Sequence, residues 1–226
     1  MEIPTIKIEL YLSDPELFSQ QLGQALENIG AAQVDGLKQQ LVDKLYENSE
    51  QAFAKYGSLW HHYPEYSPLQ SQKLCRQIMR LDSATKCNLE FDSVVTEVTQ
   101  NLEEIYQKVI LGMKTYKQNF TPINGKHLMI MVRYSPEEET ILSSEKAPKE
   151  IIVKEEHYDA RRITLAPRAT ALGLEGYIHN EWVPLIPDYG NTLVFTGLGS
   201  ANPLKHRITA PFPFAKTRKA LVYGGN

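Results

Sequence analysis

Cysteine is almost missing from this chain. Only Cys75 and Cys87 are present, and their spacing matches no thiolate metal site or redox pair. Two cysteines cannot build a disulfide framework, so they read as a reduced intracellular thiol pair. Long apolar runs are missing too: the longest, around Leu128 to Val132, is far too short to span a bilayer. The N-terminus, "MEIPTIKIEL", carries Glu2 and Pro4 and lacks a basic start followed by an apolar core, so it does not read as a secretory signal. Charge of one sign is not concentrated anywhere. The 24 basic and 27 acidic residues give a net charge of −3 with no long block of either, which leaves no electrostatic footprint for nucleic acid or an anionic membrane. Internal repeats and low-complexity tracts are absent. What remains is an ordinary globular composition, with 42% apolar and 23% charged residues, and a length of 226 that supports a sizeable core. A cytoplasmic protein is the expectation.

The chain divides by periodicity. In the first half, Ser13 with Glu16 reads as a capping box, and Leu17 or Phe18, Leu22, Ala25, Leu26 and Ile29 form an apolar stripe that Gly30 ends. A second helix is expected from about Leu37 to Tyr56, carrying Leu37, Leu41, Leu45 and Phe53. A shorter one is expected after Pro68, carrying Leu74, Ile78 and Leu81. The longest runs from about Leu89 to Tyr116, where Val95, Val98, Leu102, Ile105 and Val109 alternate steps of three and four. Its length favours a core helix laid on a sheet over a coiled coil.

After Gly125 the period shortens, and β-branched runs alternate with turn residues. Strands are expected at Leu128–Tyr134, Ile151–His157, Ile163–Leu165, Leu172–Ile178, Trp182–Ile186, Thr192–Thr196, Leu204–Ile208 and Arg218–Tyr223, with His179 and Asn180 in a hairpin turn. So many short strands point to a β-sandwich or jelly roll with the helices covering one face, an α+β architecture. No linker-like tract separates the halves. The expectation is a single domain over 1–226, with 1–127 a mainly helical support and 128–226 the jelly-roll core.

Chemistry enters with "EEHYDARRITL". His157 and Asp159 are two apart at the start of what reads as a strand run, where they would project to the same side. Taken alone, the pair reads first as two polar residues on a solvated face, since H-x-D arises by chance in many chains of this size. A non-haem iron(II) site takes two histidines and one carboxylate on one face of the metal, so a third ligand is required. His61 and His62 lie in "LWHHYPEY", which reads as a loop. His127 precedes a strand, and His179 occupies a turn. His206, in "NPLKHRITA", is the histidine that would approach the pair from across a barrel. Arg218, at the start of the last strand, offers a bidentate partner for a carboxylate or is a solvated surface arginine.

These segments resemble the iron(II)- and 2-oxoglutarate-dependent oxygenases, in the branch similar to isopenicillin N synthase. "HYDARRITL" looks like the family's H-x-D-x-x-x-[I/L]-T-L stretch. "GLEGYIHNEWVPLIPDYGNTLVF" resembles its hairpin, followed by W-V-x-[I/V] and P-x-x-G-x-x-[L/V]-V. "KHRIT" looks like its distal histidine strand and "TRKALVYG" its closing R-x-S strand, while the opening "IPTIKIEL" is similar to the family's first segment. The resemblance implies a double-stranded β-helix fold. It implies Fe(2+) held by His157, Asp159 and His206, and 2-oxoglutarate as co-substrate, with its distal carboxylate on Arg218. Tyr134, in "MVRYSP", falls where the family often places a co-substrate tyrosine, though it reads equally as a core aromatic. The implied activity is a dioxygenase that hydroxylates or desaturates a small molecule with O2.

The chain departs from the pattern in three places. Ala220 stands where the family has a serine that supports the co-substrate carboxylate. "VDG", Val34 to Gly36, replaces a usual Asn-His-Gly. The sequence stops at "LVYGGN", directly after the last strand, so the mouth is expected to be more open, or closed by a partner or by the long charged connection at 135–150. Two other functions remain: an iron oxidase that consumes no 2-oxoglutarate, and a non-catalytic barrel acting as a binding protein.

Overall fold

The computed structural model describes residues 2–62, 74–81, 86–118, 120, 127–136, 150–211 and 216–225. In chain order the elements are β1 (Thr5–Ile6), α1 (Leu10–Ser13), α2 (Pro15–Asn28), β2 (Ala31–Val34), α3 (Gln39–Glu47), α4 (Glu50–Tyr56), β3 (Ser58–His62) and β4 (Leu74–Leu81). They continue with α5 (Leu89–Tyr116), β5 (His127–Pro136), β6 (Glu150–His157), β7 (Ile163–Pro167), β8 (Leu174–Ile178), β9 (Glu181–Pro184), β10 (Thr192–Thr196), β11 (His206–Pro211) and β12 (Arg218–Gly225). Two sheets result, with strand orders β1-β2-β10-β7-β12-β5-β4-β3 and β6-β11-β8-β9. This is the expected α+β arrangement of a double-stranded β-helix. No helix among the described residues is long and apolar enough to cross a membrane.

The period-2 alternation of the strands sorts side chains between two cores. Met129 and Met131 on β5, Leu165 on β7, Val194 on β10, and Leu221 and Tyr223 on β12 face the helices. Their neighbours in sequence, Val132 and Tyr134, Ala166, and Leu193 and Phe195, face the smaller sheet. On the helical side, α5 contributes Val95, Val98, Leu102, Ile105 and Val109, all buried as their spacing predicted. Burying each such side chain is worth about 1.5–3 kcal/mol. The Asn88 side chain caps the helix by accepting from the Phe91 backbone N–H at 2.9 Å. Helix α2 crosses it at Gly112, where a Cβ would lie 2.7 Å from the Phe18 ring, and the Ser19 hydroxyl donates to the Gly112 carbonyl at 2.8 Å.

The helical half of the chain holds more strand than its sequence suggested. The segment expected as a helix through Leu74, Ile78 and Leu81 is β4, paired antiparallel with both β3 and β5. A spacing of four fits either period, and pairing with an existing sheet edge settles it. His61 and His62, expected in a loop, lie on β3, while residues 63–66 of that segment and the connection at 137–149 are outside the described residues. The helix expected over Leu37–Tyr56 is two helices. The Ser49 hydroxyl bonds back to the Tyr46 carbonyl at 2.7 Å, offering the backbone a local alternative to a continuous helix. The cap of α2 is Asp14 and not Ser13. Pro15 takes the first helical position, where no N–H is needed, and Asp14 accepts from Leu17 N at 3.0 Å. Cys87 is a free thiol.

Candidate metal centre

Strand register builds the site. His206 begins β11 and stands directly opposite His157, the last residue of β6, with ring centroids 4.2 Å apart. Asp159 follows two residues later, in the turn to β7. Its Oδ1 lies 3.7 Å from His206 Nε2 and 4.0 Å from His157 Nε2. One ligand atom from each of the three side chains falls within 4.8 Å of the others, which makes them a group able to hold a metal ion.

The hydrogen bonds aim these atoms. His157 Nδ1 lies 2.9 Å from the Glu155 carbonyl and His206 Nδ1 3.2 Å from the Leu204 carbonyl. A carbonyl only accepts, so Nδ1 carries the proton on both rings and Nε2 keeps its lone pair. Burial pushes His206 below its usual pKa. Burial, His206 and Lys154 together bring His157 down to about 4. Both rings are therefore neutral near pH 7, the form that binds metal. The Thr164 hydroxyl donates to Asp159 Oδ2 at 2.7 Å, which leaves Oδ1 facing the imidazoles. The Phe195 ring meets His206 edge-on at 5.0 Å and fixes its tilt.

The backbone under Asp159 is clamped by the end of β10. Leu198 N donates to the Asp159 carbonyl at 2.8 Å, and Gly197 N to the Arg162 carbonyl at 3.0 Å. A Cβ on Gly197 would lie 1.9 Å from the Arg161 carbonyl oxygen and 2.4 Å from that of Asp159. Only glycine permits this approach.

The three side chains open into one cavity that Tyr134 and Arg218 also line. Tyr134 and Arg218 are cross-strand partners on β5 and β12, with the guanidinium carbon 5.9 Å from the ring centroid. Arg218 is only 4% exposed, and its Nε and Nη1 have no hydrogen-bond partner. Burial lowers its pKa, and the fold encloses a cation with donors to spare. Such donors are costly unless something accepts from them. Ala220, two residues on along β12, also lines the cavity and brings no hydroxyl to it.

All five residues singled out from the sequence meet here, and His127 and His179 do not. His179 sits with Asn180 at positive φ, 49° and 69°, in the β8–β9 turn. His127 is bonded to Glu103 between the rings of Tyr106 and Tyr223. Two cavity residues were missed. Arg76 stands opposite Tyr134 on β4, with its guanidinium carbon 6.0 Å from the ring. Lys154, on β6, donates to His157 Nε2. Burial first, and then Arg76, bring Lys154 down to about 8. Arg76 was hidden by its helical reading. Lys154, three residues before the histidine, is set by a bulge of β6 against β11 that no spacing rule signals.

The fold is that of the 2OG-Fe(II) oxygenases. No family model matches the sequence, and no curated protein does. Solved structures do match. Dioxygenase for auxin oxidation 1 from Arabidopsis thaliana, solved with 2-oxoglutarate, is similar at TM-score 0.70 and 13% identity over 100% of this chain and 93% of its own. A protein from Caulobacter crescentus assigned to the 2OG-Fe(II) oxygenase family gives 0.70 and 18% over 99% and 86%. A full-length Neurospora crassa protein, solved with α-ketoglutarate and thymine, gives 0.70 and 12% over 99% and 85%. At such identities the likeness is one of fold, and the chemistry has to be argued from this chain's own residues.

Proposed function

We propose that the protein is an iron(II)- and 2-oxoglutarate-dependent dioxygenase acting on a small molecule, with the whole chain working as one unit in the cytoplasm. The observation that carries this is the pairing, in one cavity, of the His157, Asp159 and His206 group with the buried guanidinium of Arg218, whose Nε and Nη1 have no hydrogen-bond partner. Two neutral imidazoles and one carboxylate are the donor set of a non-haem iron(II) site, which leaves open positions for other ligands. Iron and 2-oxoglutarate, when bound, supply the oxidising power for attack on an unactivated C–H bond with O2.

The chain's own residues do the rest. Leu204 and Glu155 carbonyls orient the two rings, and Thr164 restrains the carboxylate. Arg218 would hold the distal carboxylate of the co-substrate, with the Tyr134 ring against its guanidinium. Ala220 contributes packing and no hydrogen bond, so co-substrate binding is weaker than a serine there would give. The test is succinate formation from 2-oxoglutarate by the iron-loaded protein in air. Succinate from wild type but not from Asp159→Ala supports the reading. Full iron uptake with no succinate would move the protein to the oxidase class.

A further inference from the structure

The iron and co-substrate reading leaves two cations of the cavity unused. Arg76 lies on the opposite side of Tyr134 from Arg218, and its Nε is buried without a hydrogen-bond partner. Lys154 reaches the cavity from the smaller sheet and donates to His157 Nε2, the nitrogen that a metal takes. A metal there removes the acceptor and leaves the ammonium facing the cavity.

Charge counting shows what is missing. The charges of iron(II) and Arg218 are balanced by Asp159 and the two carboxylates of 2-oxoglutarate. Asp159 is the one acid lining the cavity among the described residues, so Arg76 and Lys154 remain uncompensated. Arg168, the other cation in the lining, is exposed and solvated. Much of the remaining wall is apolar, including Val132, Leu174 and Ile208, with Leu172 (64% exposed) and Ile186 (41%) at its rim. We propose that Arg76 and Lys154 form a second carboxylate site, which selects substrates with an apolar body and one carboxylate end. Half-buried cations beside apolar walls favour such a ligand over a neutral one, because only an anion compensates their desolvation.

The inference rests on the oxygenase reading, and its test separates the two. Anaerobic iron(II) protein with 2-oxoglutarate bound is titrated by calorimetry with straight-chain and aromatic monocarboxylic acids, each paired with its primary amide. Acids should bind roughly tenfold to a hundredfold more tightly than their amides, the effect of charge-assisted bonds to a carboxylate. In Arg76→Gln and in Lys154→Met that ratio should collapse toward one while amide affinity holds, which also shows that the variants are folded. Acids no better than amides in wild type, or a ratio that survives both substitutions, overturns the proposal. So does an Arg76→Gln protein whose 2-oxoglutarate affinity falls as far as that of Arg218→Ala, because Arg76 would then serve the co-substrate. A wild type that takes up neither iron nor 2-oxoglutarate sinks both readings.

Discussion

His206 and His157 face each other across the β11–β6 register, and each bonds a backbone carbonyl two residues before itself through Nδ1. Two separate strands thus present the same nitrogen to the same carboxylate. Replacing either histidine or Asp159 by Ala is expected to abolish stoichiometric iron(II) binding, measured by metal analysis after anaerobic reconstitution and desalting. His179→Ala, in the β8–β9 turn, should keep full iron content. Equal iron in wild type and His206→Ala would show that the third ligand lies elsewhere.

Gly197 offers a test that touches no ligand. A methyl group there collides with the carbonyl oxygens of Arg161 and Asp159, so the turn carrying Asp159 must shift. Gly197→Ala is expected to weaken iron(II) binding at least tenfold, roughly the effect of disturbing the support of a ligand. Circular dichroism should remain that of wild type. Unchanged metal affinity would mean that the clamp on Asp159 is slack.

Ala220 shares the cavity-facing side of β12 with Arg218. Ala220→Ser should tighten 2-oxoglutarate binding by about 1 kcal/mol, the worth of one added hydrogen bond. Isothermal titration of the iron(II) protein reads this directly. Looser binding in the serine variant would place the carboxylate away from residue 220.

Acid stability should report a different cluster, on the helix side of the large sheet. Burial pushes the Glu103 carboxyl up, but hydrogen bonds from Tyr223, Gln107 and His127 outweigh it and hold the pKa below its ordinary 4.5. A carboxyl depressed in the folded state contributes stability that is full above the unfolded pKa and lost as pH falls through the folded one. Wild type should therefore lose urea stability below about pH 4.5 more steeply than Glu103→Gln. Parallel curves for the two proteins would remove Glu103 from the acid-sensitive set.

The later strands were legible because short β-branched and apolar runs alternate with turn residues. Each of the eight expected runs overlaps one of β5–β12, and α5 covers the span expected for its apolar stripe. Residues 74–81 were misread because Leu74 and Ile78 are four apart, a spacing that helix and strand share. Only the partner strands β3 and β5 decide it, and they are distant in sequence. That misreading hid Arg76. The position of Lys154 beside His157 depends on the bulge of β6 against β11 and on which strand faces which, information that no local window carries.

The central claim is that one cavity binds both iron(II) and the carboxylate of 2-oxoglutarate. The most direct measurement is an anaerobic titration of 2-oxoglutarate into the iron(II)-loaded protein, followed by the visible charge-transfer absorption of the chelate. The account predicts a saturable band at one equivalent per chain in wild type and no band in His206→Ala. In Arg218→Ala the band should require a much higher co-substrate concentration. An iron-loaded wild type that develops no band at millimolar 2-oxoglutarate, or an Arg218→Ala titration that overlays it, would contradict the account.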